Sequence, residues 1–175
     1  EESTALCRFL IGAYTGARYS DFTKISAKNI VKDTAEGRDG QLVSSHCFSY
    51  YCQKIKKMVN VPVSNKAIEL VSMPYLKNEI SISKINSIIP SLCIEAGITE
   101  NVAVRKADKE EVGQKGYFVR SHTARKSFAT NLYISGAELE KIASWMGHAS
   151  PTITYKSYLV CKMIDENNTV RKCFD

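Results

Sequence analysis

From Ser121 onward the apolar residues keep a helical spacing, and Gly136, Gly147 and the Ser150-Pro151 pair cut that run into short helices. A C-terminal third of this kind cannot extend a large sheet, so it must pack as helices around what precedes it. Leu6, Phe9, Leu10 and Ala13 repeat the helical period up to Gly16, which reads as a helix stop. Ser20 and Asp21 then offer an N-cap for a short second helix. Residues 34–40 are turn-rich, while 41–43, 47–53 and 59–63 read as strands, the last two as a hairpin around Lys56-Lys57-Met58. Ser64 caps a helix to about Met73, and Ser81 or Ser83 opens another that Gly97 closes. Residues 99–116 are charged and glycine-punctuated, which predicts a long loop with room for one strand. The expectation is a mainly α fold with a small antiparallel β-sheet or hairpin. No repeat, low-complexity tract or Pro/Gly-rich linker divides residues 1–175, so they are expected to form one domain.

Composition excludes several classes. With 44% hydrophobic residues the chain carries too much apolar surface to stay disordered. No stretch approaches the roughly 18 uncharged apolar residues of a membrane span, and Glu1 and Glu2 stand where a signal peptide would be basic. The six cysteines (Cys7, Cys47, Cys52, Cys93, Cys161, Cys173) include no Cys-x-x-Cys pair and fit no disulfide framework, so reduced thiols in a cytosolic protein are expected. His46, Cys47 and Cys52 lack a fourth neighbouring ligand, so no metal site is expected there.

The charge of +6 is uneven. Residues 50–66 hold Lys54, Lys56, Lys57 and Lys66 with no acid, and residues 112–126 hold Lys115, Arg120, Arg125 and Lys126 with no acid. Acid-free basic segments are what a phosphate backbone selects, because each neutralised phosphate releases counterions. Taken alone they also suit two solvated faces.

Three local motifs carry possible chemistry. With Ser121 as N-cap, His122 and Arg125 share one face of the first helical turn, where backbone N–H groups favour an anion and Ala124, Phe128 and Leu132 turn to the core. His148 follows Gly147 in a tight connection before the helix that Ser150 and Pro151 open. Arg18 lies in a turn between two helices with Asp21 near enough to brace its fork. Each motif alone suits an ordinary structural role.

Their order is more specific. Thr15-Gly16-x-Arg18-x-Ser20-Asp21, then Gln53-Lys54-Ile55-Lys56-Lys57 leading to Val61-Pro62-Val63, then His122-x-x-Arg125, Gly147-His148 and a tyrosine resemble the tyrosine recombinase (phage integrase) family. The resemblance covers essentially the whole chain, as that family's C-terminal catalytic domain. It implies that Arg18, Lys54, His122, Arg125 and His148 are catalytic, with Asp21 supporting Arg18. Tyr158, ten residues after His148, matches the nucleophile; a spacing of nine falls on Ser157, and Tyr155 is the alternative. The family often places threonine after the hairpin lysine, where Ile55 stands here. Strand alternation puts Lys56 on the same face as Lys54, so Lys56 is the second candidate.

The chemistry implied is DNA strand transfer without metal or cofactor. Two arginines hold the non-bridging oxygens of the scissile phosphodiester. His122 assists proton removal from Tyr158, whose hydroxyl otherwise titrates near pH 10. His148 hydrogen-bonds the phosphate and Lys54 protonates the leaving 5′-oxygen. Lys56, Lys57, Arg120 and Lys126 track the DNA backbone. Either arginine replaced by alanine is expected to stop cleavage and leave the fold intact. The partner implied is double-stranded DNA at a recombination site, bound by a tetramer in the synapse, with a monomer as the form free of DNA. The setting implied is a prokaryotic cytoplasm, at the nucleoid when acting. The family's usual N-terminal core-binding domain has no counterpart in these residues, and the segment from Leu159 to Phe174 reads as a tail that docks on a neighbouring subunit or on its own domain. Two alternatives remain: a type IB topoisomerase, with the same tyrosine, arginine and lysine chemistry, and a non-catalytic helix-turn-helix DNA-binding module over residues 122–146.

Overall fold

The structure is a computed structural model that describes residues 1–36, 41–106 and 109–158. Its central element is α1 (Glu2–Thr15), which turns Ala5, Ile11, Gly12 and Thr15 inward. It packs against α3 (Asn65–Ser72), α4 (Ile82–Glu95) and α5 (Ser121–Ile134). Between α1 and α3 come the one-turn helix α2 (Tyr19–Phe22) and a three-stranded antiparallel meander. The meander runs β1 (Ile30–Glu36), β2 (Leu42–Cys52) and β3 (Lys57–Pro62), with Ile30 opposite Phe48 and Phe48 opposite Val61. A separate two-stranded ribbon, β4 (Asn101–Lys106) and β5 (Lys109–Gln114), leads into α5. Two further helices, α6 (Leu139–Trp145) and α7 (Pro151–Tyr158), pack on each other, and α7 also meets α5. One core joins these parts: Phe22, Phe48, Val61, Ile85, Ile89, Phe128, Ile142 and Met146 are all buried in it.

The mainly helical architecture with small antiparallel sheets is the one expected. Helix stops and caps are also largely where the residues put them. Gly16 closes α1 in the left-handed region (φ 63°), Ser64 and Ser81 accept from the backbone N–H three residues on, and Pro151 opens α7.

Four boundaries differ. Residues 30–36 form a strand although 34–36 looked turn-like, because the facing residues of β2 complete a seven-pair ladder that local propensity does not report. Residues 101–114 form a ribbon rather than a loop: the alternation of Val102 and Val104 is obscured by the charged residues around it, and six register pairs join the two strands. The hairpin turn is residues 53–56, one step earlier than expected, so Lys54 and Lys56 are turn residues and strand alternation does not relate them. Lys56 itself adopts φ 52°. Finally, the N-cap positions of α2 and α5 are Arg18 and Arg120, not Ser20-Asp21 and Ser121.

Candidate active site

The residues that precede α2 are held from behind. Thr15 Oγ1 donates to Ile11 O (2.7 Å) and accepts from Ala17 N–H (3.2 Å), fixing the turn that projects Arg18. Gly16 is required there twice over: its φ is positive, and a Cβ would stand 2.4 Å from Cδ1 of Phe128. The hairpin turn brings Lys54 to the same place, and the first turn of α5 brings Ser121, His122 and Arg125. Together they line a cleft of about 350 Å³. Four of its lining side chains are basic (Arg18, Lys54, His122, Arg125), and among the described residues no carboxylate lines it.

The two arginines are held differently. Arg125 is only 2% exposed, yet charged. Its guanidinium donates to Gly16 O, to Met146 O (2.6 Å) and toward His148 Nε2 (2.7 Å), so it ties the α1–α2 turn to the end of α6 and to the loop before α7. Arg18 is half-buried and donates to Cys52 Sγ (3.2 Å) and Gly147 O (3.3 Å). Asp21 was expected to brace Arg18 directly. Instead the two are bridged by a thiol, since Cys52 Sγ donates to Asp21 Oδ2 (3.4 Å).

Gly147 explains half of the Gly-His pair. At φ 61° it also lets the loop approach the hairpin, where a Cβ would lie 3.2 Å from Ile55 and 3.4 Å from Val59. His148 explains the other half. An arginine can only donate, so Nε2 must be the acceptor, which leaves Nδ1–H to donate to Thr154 Oγ1 at 2.7 Å. In this arrangement His148 orients Arg125, where a hydrogen bond to phosphate was expected. Burial, and then Arg125, Arg18, Lys54 and His122, push its pKa down to about 4. Burial and the cations Lys126, Arg125 and Arg18 lower His122 as well.

These shifts have a sign. A histidine whose folded pKa lies below its ordinary 6.5 binds fewer protons folded than unfolded as pH falls. Its contribution is present in full above about pH 6.5 and is lost as pH drops toward 4. Urea midpoints are therefore expected to fall between pH 7 and pH 4.5, and His148→Gln to flatten that slope; an unchanged slope in the variant would place the titration elsewhere.

Other expectations divide. The anion site from backbone N–H groups at the start of α5 is partly filled, because Ser121 N–H goes to Asn86 Oδ1 (2.7 Å). Arg120 is exposed but folds its guanidinium onto Tyr117 O (2.6 Å) and Val119 O (2.7 Å). Lys56, Lys57 and Lys126 are exposed. Tyr158 is the last residue of α7, three residues beyond half-buried Tyr155, and its side chain lies outside the described residues, as does the whole expected tail from Leu159. Cys52 and Thr154 were not singled out in the sequence. Alternation along β2 (Phe48, Tyr50, Cys52 inward) signals that Cys52 is buried, but nothing signals its partners.

Residues 2–163 match the model of the phage integrase family. The chain belongs to that family. No curated protein sequence matches it, but solved recombinase structures share the fold. The XerH site-specific recombinase bound to palindromic difH substrate superposes with a TM-score of 0.60 at 15% identity, covering 97% of this chain and 46% of that one. The catalytic domain of bacteriophage HP1 integrase gives 0.52 at 16%, covering 93% and 79%. The Tn1549 transposon integrase in complex with a circular-intermediate DNA gives 0.55 at 11%, covering 95% and 57%. This phage integrase family chain thus spans about half the length of the XerH chain it resembles. No helix among its described residues is long and apolar enough to cross a membrane.

Proposed function

We propose that this chain is the catalytic domain of a site-specific DNA recombinase that cuts and rejoins strands through a 3′-phosphotyrosine. The observation that carries the reading is the cleft, without acids among its described lining residues, in which Arg18, Lys54, His122 and Arg125 converge from three parts of the chain. Four cationic or proton-carrying side chains around one cleft suit the charge that develops in a phosphodiester transition state.

Each residue then has a step. Arg18 and Arg125, which both line the cleft, stabilise the charge that develops on the non-bridging oxygens. Tyr158 Oη forms a bond to phosphorus as the bond from phosphorus to the 5′-oxygen breaks. His122, whose pKa burial and then the neighbouring cations lower, takes the tyrosine proton, and Lys54 gives one to the 5′-oxygen. The phosphotyrosine conserves the bond energy, so a second strand's 5′-hydroxyl reverses the step without ATP. The exchange implies two duplexes and a tetrameric synapse around them. XerH and the Tn1549 integrase are described bound to DNA substrates of this kind, which supports DNA as the partner. A non-catalytic binding module would leave the convergence on one cleft unexplained.

Covalent capture tests this. The full-length protein is incubated with nicked duplexes of randomised sequence that lose the short 5′-hydroxyl strand after cleavage, and SDS-resistant adducts are collected. Wild type is expected to yield an adduct and Tyr158→Phe none. An adduct that survives in Tyr158→Phe and vanishes in Tyr155→Phe moves the nucleophile; no adduct from any duplex sinks the reading.

A further inference from the structure

Asp21 is a buried carboxylate in an unusual position. It is 3% exposed, its Oδ1 has no hydrogen-bond partner among the described residues, and no ion pair joins it to Arg18 three residues away. Its Oδ2 faces the Cys52 thiol instead. A carboxylate in such a place is costly unless a donor meets it, and Cys52, 1% exposed at the end of β2, is that donor.

The hydrogen-bond directions leave one arrangement. Arginine has donors only and an ionised carboxylate has acceptors only, whereas a thiol has one of each. Cys52 Sγ must therefore accept from Arg18 Nη1–H and give its own proton to Asp21. We propose that Cys52 is a positioning residue that sets the Arg18 guanidinium by linking it to Asp21. This rests on the recombinase reading for its catalytic meaning, though not for its geometry.

The link does something that a direct ion pair would not. A bidentate Arg18–Asp21 pair would fill the guanidinium fork and cancel the charge that a phosphate needs. The interposed sulfur orients one Nη, Gly147 O orients the other, and the remaining N–H groups and the positive charge stay with the cleft that Arg18 lines. The thiol is also sheltered from the loop side by Gly147, whose missing Cβ would lie 3.6 Å from Sγ. A bulkier side chain at 147 or an unlinked one at 52 would both loosen Arg18.

Two substitutions separate linkage from packing. Cys52→Val fills similar space but neither donates nor accepts, and Cys52→Ser does both. On the duplex selected by covalent capture, Cys52→Val is expected to slow single-turnover cleavage by about 10- to 100-fold, the usual cost of loosening a reacting group by a fraction of an ångström to an ångström. Its DNA dissociation constant should stay near wild type, while its melting temperature should fall because buried Asp21 loses its donor. With rates compared well below the melt, Cys52→Ser should recover most of both the rate and the stability. In arginine-labelled protein, the Arg18 Nη protons should be resolved in wild type and Cys52→Ser and averaged by rotation in Cys52→Val. Wild-type cleavage in Cys52→Val, or equal slowing in Cys52→Ser, overturns the proposal. If wild type itself captures no DNA, the recombinase reading fails alone: the Nη signals still decide Cys52, and their being unchanged by valine refutes the link.

Discussion

Arg125→Ala is expected to lose the fold along with the chemistry, while Arg18→Ala loses only the chemistry. In sequence the two arginines look equivalent, and both were expected to be dispensable for folding. The structure separates them by burial. Arg125 is 2% exposed and its guanidinium meets Gly16 O, Met146 O and His148, three points that lie in two distant connections, α1–α2 and α6–α7. Gly16 and Met146 are themselves buried, so alanine leaves their carbonyls without water to replace the lost donor. At about 1–3 kcal/mol for each unsatisfied buried group, before any cavity term, the expected loss is about 3–5 kcal/mol. That is a large fraction of the roughly 5–15 kcal/mol that holds a domain together.

Arg18 makes its two bonds from a half-buried position, and water can enter when it is truncated. Its alanine variant should melt close to wild type and form no covalent adduct. Circular-dichroism melts paired with covalent capture on both variants check this. Melting temperatures for the two that agree within a degree would show that Arg125 is not the structural tie that its contacts indicate.

How far the sequence reaches is visible in these same residues. Caps mark α1, α3, α4 and α7 because α1 closes on Gly16 and the others open on Ser64, Ser81 and Pro151, residues whose conformational preferences are local. Strand β1 and the β4–β5 ribbon are less legible, since their ladders depend on partner residues elsewhere in the chain and charged residues obscure the alternation. The site divides in the same way. The motif order names Arg18, Lys54, His122 and Arg125, and these do converge on one cleft. What the sequence does not show is who holds whom. Asp21 reaches Arg18 through Cys52, and His148 turns to Arg125, because those contacts join residues 23 to 129 positions apart. No local pattern encodes a hydrogen bond across that separation.

Gly16→Ala is the second large effect, and here the two sources of the loss can be measured apart. Alanine at φ 63° pays about 1–2 kcal/mol for the left-handed backbone. Its methyl group would also stand 2.4 Å from Cδ1 and 2.7 Å from Cε1 of Phe128, a ring that is 7% exposed and has little room to retreat. Overpacking of this kind costs about 1–3 kcal/mol more. For a chain of this size the sum lowers the melting temperature by about 10 °C. Phe128→Leu removes the ring edge but not the backbone strain, so the two substitutions form a cycle. Measured against Phe128→Leu alone, adding Gly16→Ala should cost only the backbone part, about 1–2 kcal/mol. An equal penalty in both backgrounds would rule out the ring contact as a cause. Cleavage adds a second reading, because Gly16 O is one of the carbonyls that holds Arg125. If the ring displaces the turn, adduct formation should fall in Gly16→Ala even at temperatures where the protein remains folded, and recover in the double variant as the turn returns to its place.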